Sequence, residues 1–199
     1  MKKGLVGIVI LIFIISSFAG CTTKEKKQEA LEKKIFSIED VKILGVNIDM
    51  KKVDVENLLG EPIKVEKIYD EVWEGELIKN YYDFGYVEFD PMGVGQHTVG
   101  QIIIKDEKIN GPRNIKIGDT FESVINKFPY ESTGTIDEVG NKFIYGAYYE
   151  NGGFISYDEK NNPVAITYSY GQGGFGTYTL NFKLDNGKVK EIGLSVMNI

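Results

Sequence analysis

The 199-residue chain contains one cysteine, Cys21, and one histidine, His97. A single cysteine cannot form a disulfide within the chain, so Cys21 is a core residue, a nucleophile or a point of covalent attachment. A single histidine excludes the two-histidine zinc motifs. No sequence motif indicates a serine nucleophile that could use His97 as its base. We therefore expect a solvated loop histidine, and we expect neither a metal nor a cofactor.

Acidic side chains are the remaining candidates for catalysis. They lie around Trp73 and on the predicted strands that follow it: Glu71, Glu74, Glu76, Asp83, Glu88 and Asp90. Two carboxyl groups held about 5–10 Å apart can hydrolyse a glycosidic bond. Acids spaced along the hairpins of a chain with a net charge of −6 more often serve solubility and turns. We therefore expect no enzyme, and a cell-wall hydrolase with a carboxylate pair remains the alternative.

The stretch Gly-Gln-Gly-Gly-Phe-Gly at residues 171–176 satisfies the dinucleotide-binding pattern G-x-G-x-x-G. That pattern places a pyrophosphate at the start of a helix, and a strand is predicted to follow here. The stretch therefore indicates a flexible loop between strands. Residues 92–98 form a similar glycine-rich loop earlier in the chain.

The chain begins with two lysines and an unbroken apolar run over residues 5–15. As a helix this run would be about 16 Å long, too short for a hydrocarbon core of about 30 Å. It is typical of a secretory signal peptide, which we assign to residues 1–20.

Residues 16–21, Ser-Ser-Phe-Ala-Gly-Cys, resemble the lipobox of bacterial lipoproteins. The resemblance implies cleavage after Gly20, attachment of a diacylglycerol to the Cys21 thiol, and acylation of the new amino terminus by a chain such as palmitate. Two or more acyl chains hold a protein stably on a membrane. We expect a lipid-anchored protein on the extracytoplasmic face of the cell membrane, with membrane lipid as its partner through Cys21.

Residues 21–35 are dense in mixed charge and nearly free of large apolar groups, so they predict a flexible tether. Removal of the signal peptide takes away Lys2 and Lys3 and no acid, which changes the net charge from −6 to −8. Phosphate binding needs clustered cations. The composition therefore excludes nucleic acid as the expected partner.

Two pairs of similar segments are separated by nearly the same number of residues along the chain. Residues 82–90 align with 150–158 at an offset of 68, and residues 55–60 align with 124–129 at an offset of 69. The same order of helix and hairpin in both halves predicts a duplication, with α+β repeats at 36–111 and 112–199. The predicted fold class is α+β, with a short helical segment in each repeat followed by an antiparallel sheet whose one face packs on the helices.

The predicted elements follow from periodicity and turn residues. In the second repeat, Asp119 can cap a helix with Glu122 three residues on, and apolar residues recur at Phe121, Val124 and Phe128. A shorter apolar stripe beginning at Val55 predicts the first helix. Alternation and turn signals predict strands at residues 63–65, 77–84, 86–90, 101–106, 142–150, 154–158, 164–170, 177–184 and 188–196.

Alternation also predicts which face of the sheet is solvated. One side of residues 177–184 is apolar and the other carries Thr177, Thr179 and Asn181, so we expect an open, hydroxyl-rich face. Tyrosine is enriched at binding interfaces. The candidate binding surface comprises Tyr148, Tyr157, Thr167, Ser169, Gln172, Phe175, Thr177 and Thr179.

Two short motifs indicate a family. Residues 55–62, Val-Glu-Asn-Leu-Leu-Gly-Glu-Pro, resemble the V-x-x-L-L-G-x-P signature of the small lipoprotein of the outer-membrane β-barrel assembly machinery. Residues 115–120 resemble the I-x-x-G-x-T that opens the same unit. Tandem copies of this unit resemble the β-lactamase inhibitor proteins, which grip a partner with the sheet. The resemblance implies a protein-binding module whose partner is another exported protein; the oligomeric state is left open.

Overall fold

The computed structural model describes residues 35–71, 74–91, 97–131, 135–146, 151–171 and 176–197. The chain divides into two compact units, Met1–Ile35 and Phe36–Ile199. The predicted signal peptide and nearly all of the predicted tether lie outside the described residues and remain predictions. The second unit contains every helix and strand that the structure describes.

Nine strands form one antiparallel sheet. A separate two-stranded hairpin, β1 (Lys42–Ile43) and β2 (Val46–Asn47), comes first in the chain. The strands of the large sheet are β3 (Lys64–Asp70), β4 (Gly75–Tyr82), β5 (Gly85–Pro91), β6 (His97–Ile104), β7 (Lys142–Gly146), β8 (Asn151–Tyr157), β9 (Pro163–Gly171), β10 (Thr177–Asp185) and β11 (Lys188–Met197). Their order across the sheet is β3-β4-β5-β6-β11-β10-β9-β8-β7. Asn186 and Gly187 join the last two strands at positive φ, as a tight hairpin turn requires.

The described residues contain two short α-helices, α1 (Lys52–Leu59) and α2 (Phe121–Lys127), and two 3-10 turns, Ile38–Asp40 and Pro112–Asn114. The predicted cap of α2 is wrong by one residue. The hydroxyl of Thr120 accepts a hydrogen bond from the amide of Ser123 at 3.3 Å. The Asp119 carboxylate instead accepts from the amide of Lys116 at 3.0 Å, closing the preceding turn.

The two faces of the sheet differ in composition because side chains alternate along each strand. On the core face, Leu180 and Phe182 of β10 are fully buried with their neighbours on β6, β9 and β11. Helices α1 and α2 each add one fully buried residue, Val55 and Val124, to the same cluster. The opposite side, here called the open face, carries Thr179, Asn181 and the residues level with them across the sheet.

The predicted fold class of two α+β repeats, each with its own sheet, is wrong. The protein is mostly β, with a single nine-stranded sheet shared by residues of both predicted repeats. The last strand, β11, pairs with β6, where Leu194 lies opposite Ile102 and Ile192 opposite Ile104. Pairing the free edge of β6 satisfies its backbone hydrogen-bonding groups and merges the apolar residues of both halves into one core.

Candidate binding surface

Several residues of the predicted sites lie outside the described part of the chain. They include Cys21 and Gly20 of the predicted lipid-attachment site, and Tyr148, Gln172 and Phe175 of the predicted binding surface. Trp73 and most of both glycine-rich loops, at residues 92–96 and 172–175, also lie outside. Their roles therefore stay predictions.

Three of the four Ser and Thr side chains of the predicted surface are almost inaccessible, and the fourth, Thr179, is half-buried. Thr167, Ser169 and Thr177 are 8%, 5% and 2% exposed. Asn181 Nδ2 donates to Thr167 Oγ1 at 2.7 Å, and Thr179 Oγ1 lies 2.7 Å from a serine hydroxyl on β11. Side chains that are both covered and hydrogen-bonded within the sheet offer a partner little contact area. These hydroxyl side chains therefore contribute more to the stability of the sheet than to recognition of a partner.

Tyr157 does not belong to the open face. It lies two residues after Ile155 on β8, so both side chains point to the same side, and Tyr157 packs against the core. Burial raises the pKa of its hydroxyl above the usual value. The structure therefore places Tyr157 on the core side of the sheet, and its role in binding stays a prediction.

The other half of the open face carries a cluster of polar and aromatic side chains, here called the Tyr–Lys patch: Lys79, Tyr81, Tyr86, Glu88 and Gln101. Register places Tyr81 opposite Tyr86 and Lys79 opposite Glu88 on β4 and β5. The two tyrosine rings lie 5.7 Å apart between centroids. Tyr86 donates a hydrogen bond to Gln101 Oε1 at 3.1 Å. The patch is thus a continuous layer across three neighbouring strands.

An ion pair sits at the centre of the Tyr–Lys patch. Lys79 Nζ lies 2.8 Å from Glu88 Oε2, and the two side chains are only 19% and 22% exposed. Burial is the largest single influence on the pKa of Lys79 and would lower it. The hydrogen bond to Glu88 and the charges of Glu88, Tyr86 and Tyr81 together outweigh burial, so the pKa lies above its usual value. The same ammonium lies 4.5 Å from the centroid of Tyr86. These contacts hold Lys79 and Tyr86 in one arrangement before any partner arrives.

Charged groups continue on both sides of the patch. Glu66 accepts hydrogen bonds from Tyr81 and from Lys64 at 2.5 and 2.6 Å, and these bonds lower the pKa of its carboxyl. On the other side, Glu191 lies 2.6 Å from Lys183 and 3.3 Å from Lys105. Lysines and glutamates alternate across this half of the face, so its charge is mixed.

Asp90 is the most perturbed acid on the open face. Burial raises its pKa to about 6, and the nearby carboxylates of Glu88, Asp49 and Asp70 add to the effect. No described residue donates a hydrogen bond to it. A Cβ on Gly100 would fall 2.0 Å from Asp90 Oδ2, so the carboxyl lies directly against the backbone of β6. Among the described residues, no three acidic, histidine or cysteine side chains are placed to hold a metal ion.

Substituting Asp90→Asn should stabilise the protein at neutral pH. The folded-state pKa of Asp90 lies above the unfolded value, so ionisation disfavours the folded state as pH rises from about 4 through about 6. After allowance for solvent screening, we expect the variant to gain about 1–2 kcal/mol at pH 7.5. Urea unfolding at pH 7.5 and pH 4 measures this difference. At pH 4 the two chains should unfold alike, and a gain of equal size at both pH values would contradict the assignment.

His97 is the first residue of β6 and not part of a loop. Its ring nitrogen Nε2 donates to the carbonyl oxygen of Glu76 at 2.8 Å. The structure therefore gives this histidine a bridging contact between two strands of the sheet.

Sequence reasoning missed the Tyr–Lys patch although its signal was present. Leu77, Lys79 and Tyr81 alternate along β4, and Tyr86, Glu88 and Asp90 alternate along β5. The same alternation that marks the polar side of residues 177–184 also places these side chains on one face.

Among the described residues, no helix is long and apolar enough to cross a membrane. Comparison of the chain with known protein families, with curated proteins and with solved structures found no match.

Proposed function

We propose that this protein is a lipid-anchored binding module on the extracytoplasmic side of the membrane, where it engages another exported protein through the open face. The observation that carries the proposal is the Tyr–Lys patch on the side of the sheet opposite to the core that both helices join. Preordered tyrosines and half-buried charges are typical of interface centres because little entropy is lost when a partner binds. The two glycine-rich loops belong to the proposal as predictions from sequence.

The chemistry of the patch favours a folded protein as partner over a glycan. Lys64 and Lys79 lie 5.2 and 4.5 Å from the ring centroids of Tyr81 and Tyr86, so one face of each ring is already covered. A sugar ring stacks on an uncovered aromatic face, whereas a protein surface can use ring edges, hydroxyls and charges of both signs. We therefore expect a partner whose interface also carries mixed charge.

Binding should take place around Tyr86 and depend on Lys79. A photo-crosslinking amino acid placed at Tyr86 should capture one partner in the native envelope, and Lys79→Ala should reduce the yield about tenfold or more. Tyr130 is the matched control, because it is an exposed tyrosine beside Pro129, whose carbonyl accepts a hydrogen bond from core-face Tyr168. Equal capture from positions 86 and 130 would count against the open face as the binding surface.

Anchoring should depend on Cys21. Substituting Cys21→Ser removes the thiol that the lipobox resemblance assigns to a diacylglycerol, so the chain should leave the membrane fraction almost completely. Fractionation and mass spectrometry of the amino-terminal peptide measure this change. Ser16→Ala, inside the predicted leader, is the control and should leave the product anchored. An unmodified thiol in the wild-type protein would refute the anchor.

Asp90 supports a second candidate function, hydrolysis of cell-wall glycan. Asp90 and Glu88 are two residues apart on β5 and face the same side, so their Cα atoms are about 7 Å apart. A carboxyl with a pKa of about 6 suits a general acid, and Glu88 is held by Lys79 as an ion pair. Release of reducing ends from isolated wall material, lost in Asp90→Asn and kept in Asp83→Asn, would favour this function over binding.

A further inference from the structure

Strand β3 forms one end of the sheet and pairs only with β4 among the described strands. Its apolar side chains are unusually exposed. Val65 and Ile68 are 47% and 48% exposed, and Tyr69 is 67% exposed. Ile63, just before the strand, is 68% exposed. A long edge strand with exposed apolar side chains is a template for pairing with another strand.

The opposite end of the sheet is protected. A segment before β7 runs along its outer side, where the amide of Phe143 donates to the carbonyl of Thr135 at 3.0 Å and Ile136 forms a bridge with Lys142. The two end strands of the sheet therefore differ in whether another segment covers their outer edge. Only the β3 end is left without a covering segment among the described residues.

We propose that β3 pairs with β3 of a second copy of this chain, antiparallel and centred on Lys67. This register places Val65 opposite Tyr69 of the second copy and Lys64 opposite its Asp70, and it uses all seven residues of the strand. Each of these contacts occurs twice because of the twofold axis. Cross-strand pairs of opposite charge and of aromatic with β-branched residues both stabilise a sheet.

Charge selects this register over its neighbours. A twofold axis perpendicular to the sheet requires the central residue to lie opposite itself in the second copy. The neighbouring registers are therefore centred one residue to either side of Lys67. One neighbouring register places Glu66 opposite Glu66, and the other places Glu66 opposite Asp70. Neither neighbouring register brings opposite charges together across the two strands, whereas the proposed register pairs Lys64 with Asp70 twice. It also places Lys67 opposite Lys67, but each ammonium lies 2.8 Å from its own Glu76. The like-charge contact at the axis is thus compensated within each copy.

The twofold axis keeps the open faces of both copies on the same side of the extended sheet. The Tyr–Lys patch would then be presented twice in one direction. Two linked patches bind a multivalent partner more tightly than one, because the second contact becomes intramolecular.

A disulfide across the axis tests the proposal in the full-length chain. Lys67→Cys places two thiols opposite each other, with Cα atoms about 4.5–5.5 Å apart, which a disulfide can span. Glu71→Cys is the matched control, since residue 71 is exposed and would lie about 26 Å from its own copy. The unsubstituted chain gives the baseline for Cys21. Mild oxidation of native membranes, followed by non-reducing electrophoresis, is the measurement.

We expect at least about tenfold more disulfide-linked dimer with Lys67→Cys than with Glu71→Cys, and loss of that dimer when Val65→Lys is added. Equal dimer from both cysteines would indicate random collision and overturn the proposal. A dimer unaffected by Val65→Lys would place the contact elsewhere and overturn it too. Absence of the Lys67→Cys dimer, or an adduct of another mass, would show that β3 does not pair with a second copy.

Discussion

Substituting Arg113→Ala should lower the free energy of unfolding by about 3–5 kcal/mol. Arg113 is the only described arginine, and its guanidinium donates from Nε and Nη2 to the two carboxylate oxygens of Asp40 at 2.9 and 2.7 Å. The two side chains are only 19% and 9% exposed. Removing the cation leaves a nearly buried carboxylate without its partner. Urea unfolding of both chains at pH 7 measures the loss.

Two controls separate the charge from the geometry of this pair. Arg113→Lys keeps the positive charge but cannot make the bidentate contact with Asp40. It should therefore retain only part of the free energy of unfolding that Arg113→Ala loses. Asp40→Leu combined with Arg113→Met removes both charges and should lie closer to wild type than Arg113→Ala alone. If the double substitution proved as destabilising as the single one, an uncompensated carboxylate could not explain the loss.

The effect is large because Arg113 joins segments that are distant in the chain. Besides Asp40, it donates from Nη1 to the carbonyl of Lys127 at 2.7 Å, and its Cζ lies 4.4 Å from the centroid of the Phe128 ring. It therefore ties the first turn of the folded unit to the end of α2. No periodicity in the sequence indicated this contact, since it links residues 73 positions apart.

Local alternation predicted most strands of the sheet. Residues 177–184 were predicted as a strand and the structure has Thr177–Asp185, because four apolar side chains there alternate with polar ones. The pairing of β6 with β11 could not be predicted in the same way. Alternation states which side of a strand is apolar, but it does not identify the neighbouring strand. The error in fold class follows from that gap.

The candidate site shows the same limit. Alternation correctly separated Thr167 and Ser169 from the apolar side of β9. It does not indicate how far a side chain is buried, and both hydroxyls are nearly buried. Depth depends on the neighbouring strands and on whatever packs around them. Alternation along residues 77–90 is enough to predict the Tyr–Lys patch. The environment of the half-buried Asp90 carboxyl, in contrast, depends on its contact with Gly100 of another strand. A group perturbed through such a contact is visible only once the register is known.

Substituting Phe128→Ala should also lower the free energy of unfolding by about 3–5 kcal/mol. Phe128 is fully buried directly after α2, where its ring stacks on Tyr168 with centroids 4.9 Å apart and tilts against Phe182 at 5.5 Å. Truncation removes its transfer free energy and leaves a cavity that rigid strands cannot close. Thermal and urea unfolding measure the change, and Phe128→Leu, which keeps most of the volume, should lose markedly less.

The two large effects should not add. Arg113 lies over the Phe128 ring, so either substitution removes the same cation–π contact, and the double variant loses that contact only once. We expect the double variant Arg113→Ala with Phe128→Ala to be about 0.5–2 kcal/mol more stable than the sum of the single losses predicts. Strict additivity would mean that the two residues stabilise the core independently. A measured coupling would instead identify Arg113 and Phe128 as one unit, which the ion pair of Arg113 with Asp40 ties to the start of the folded chain.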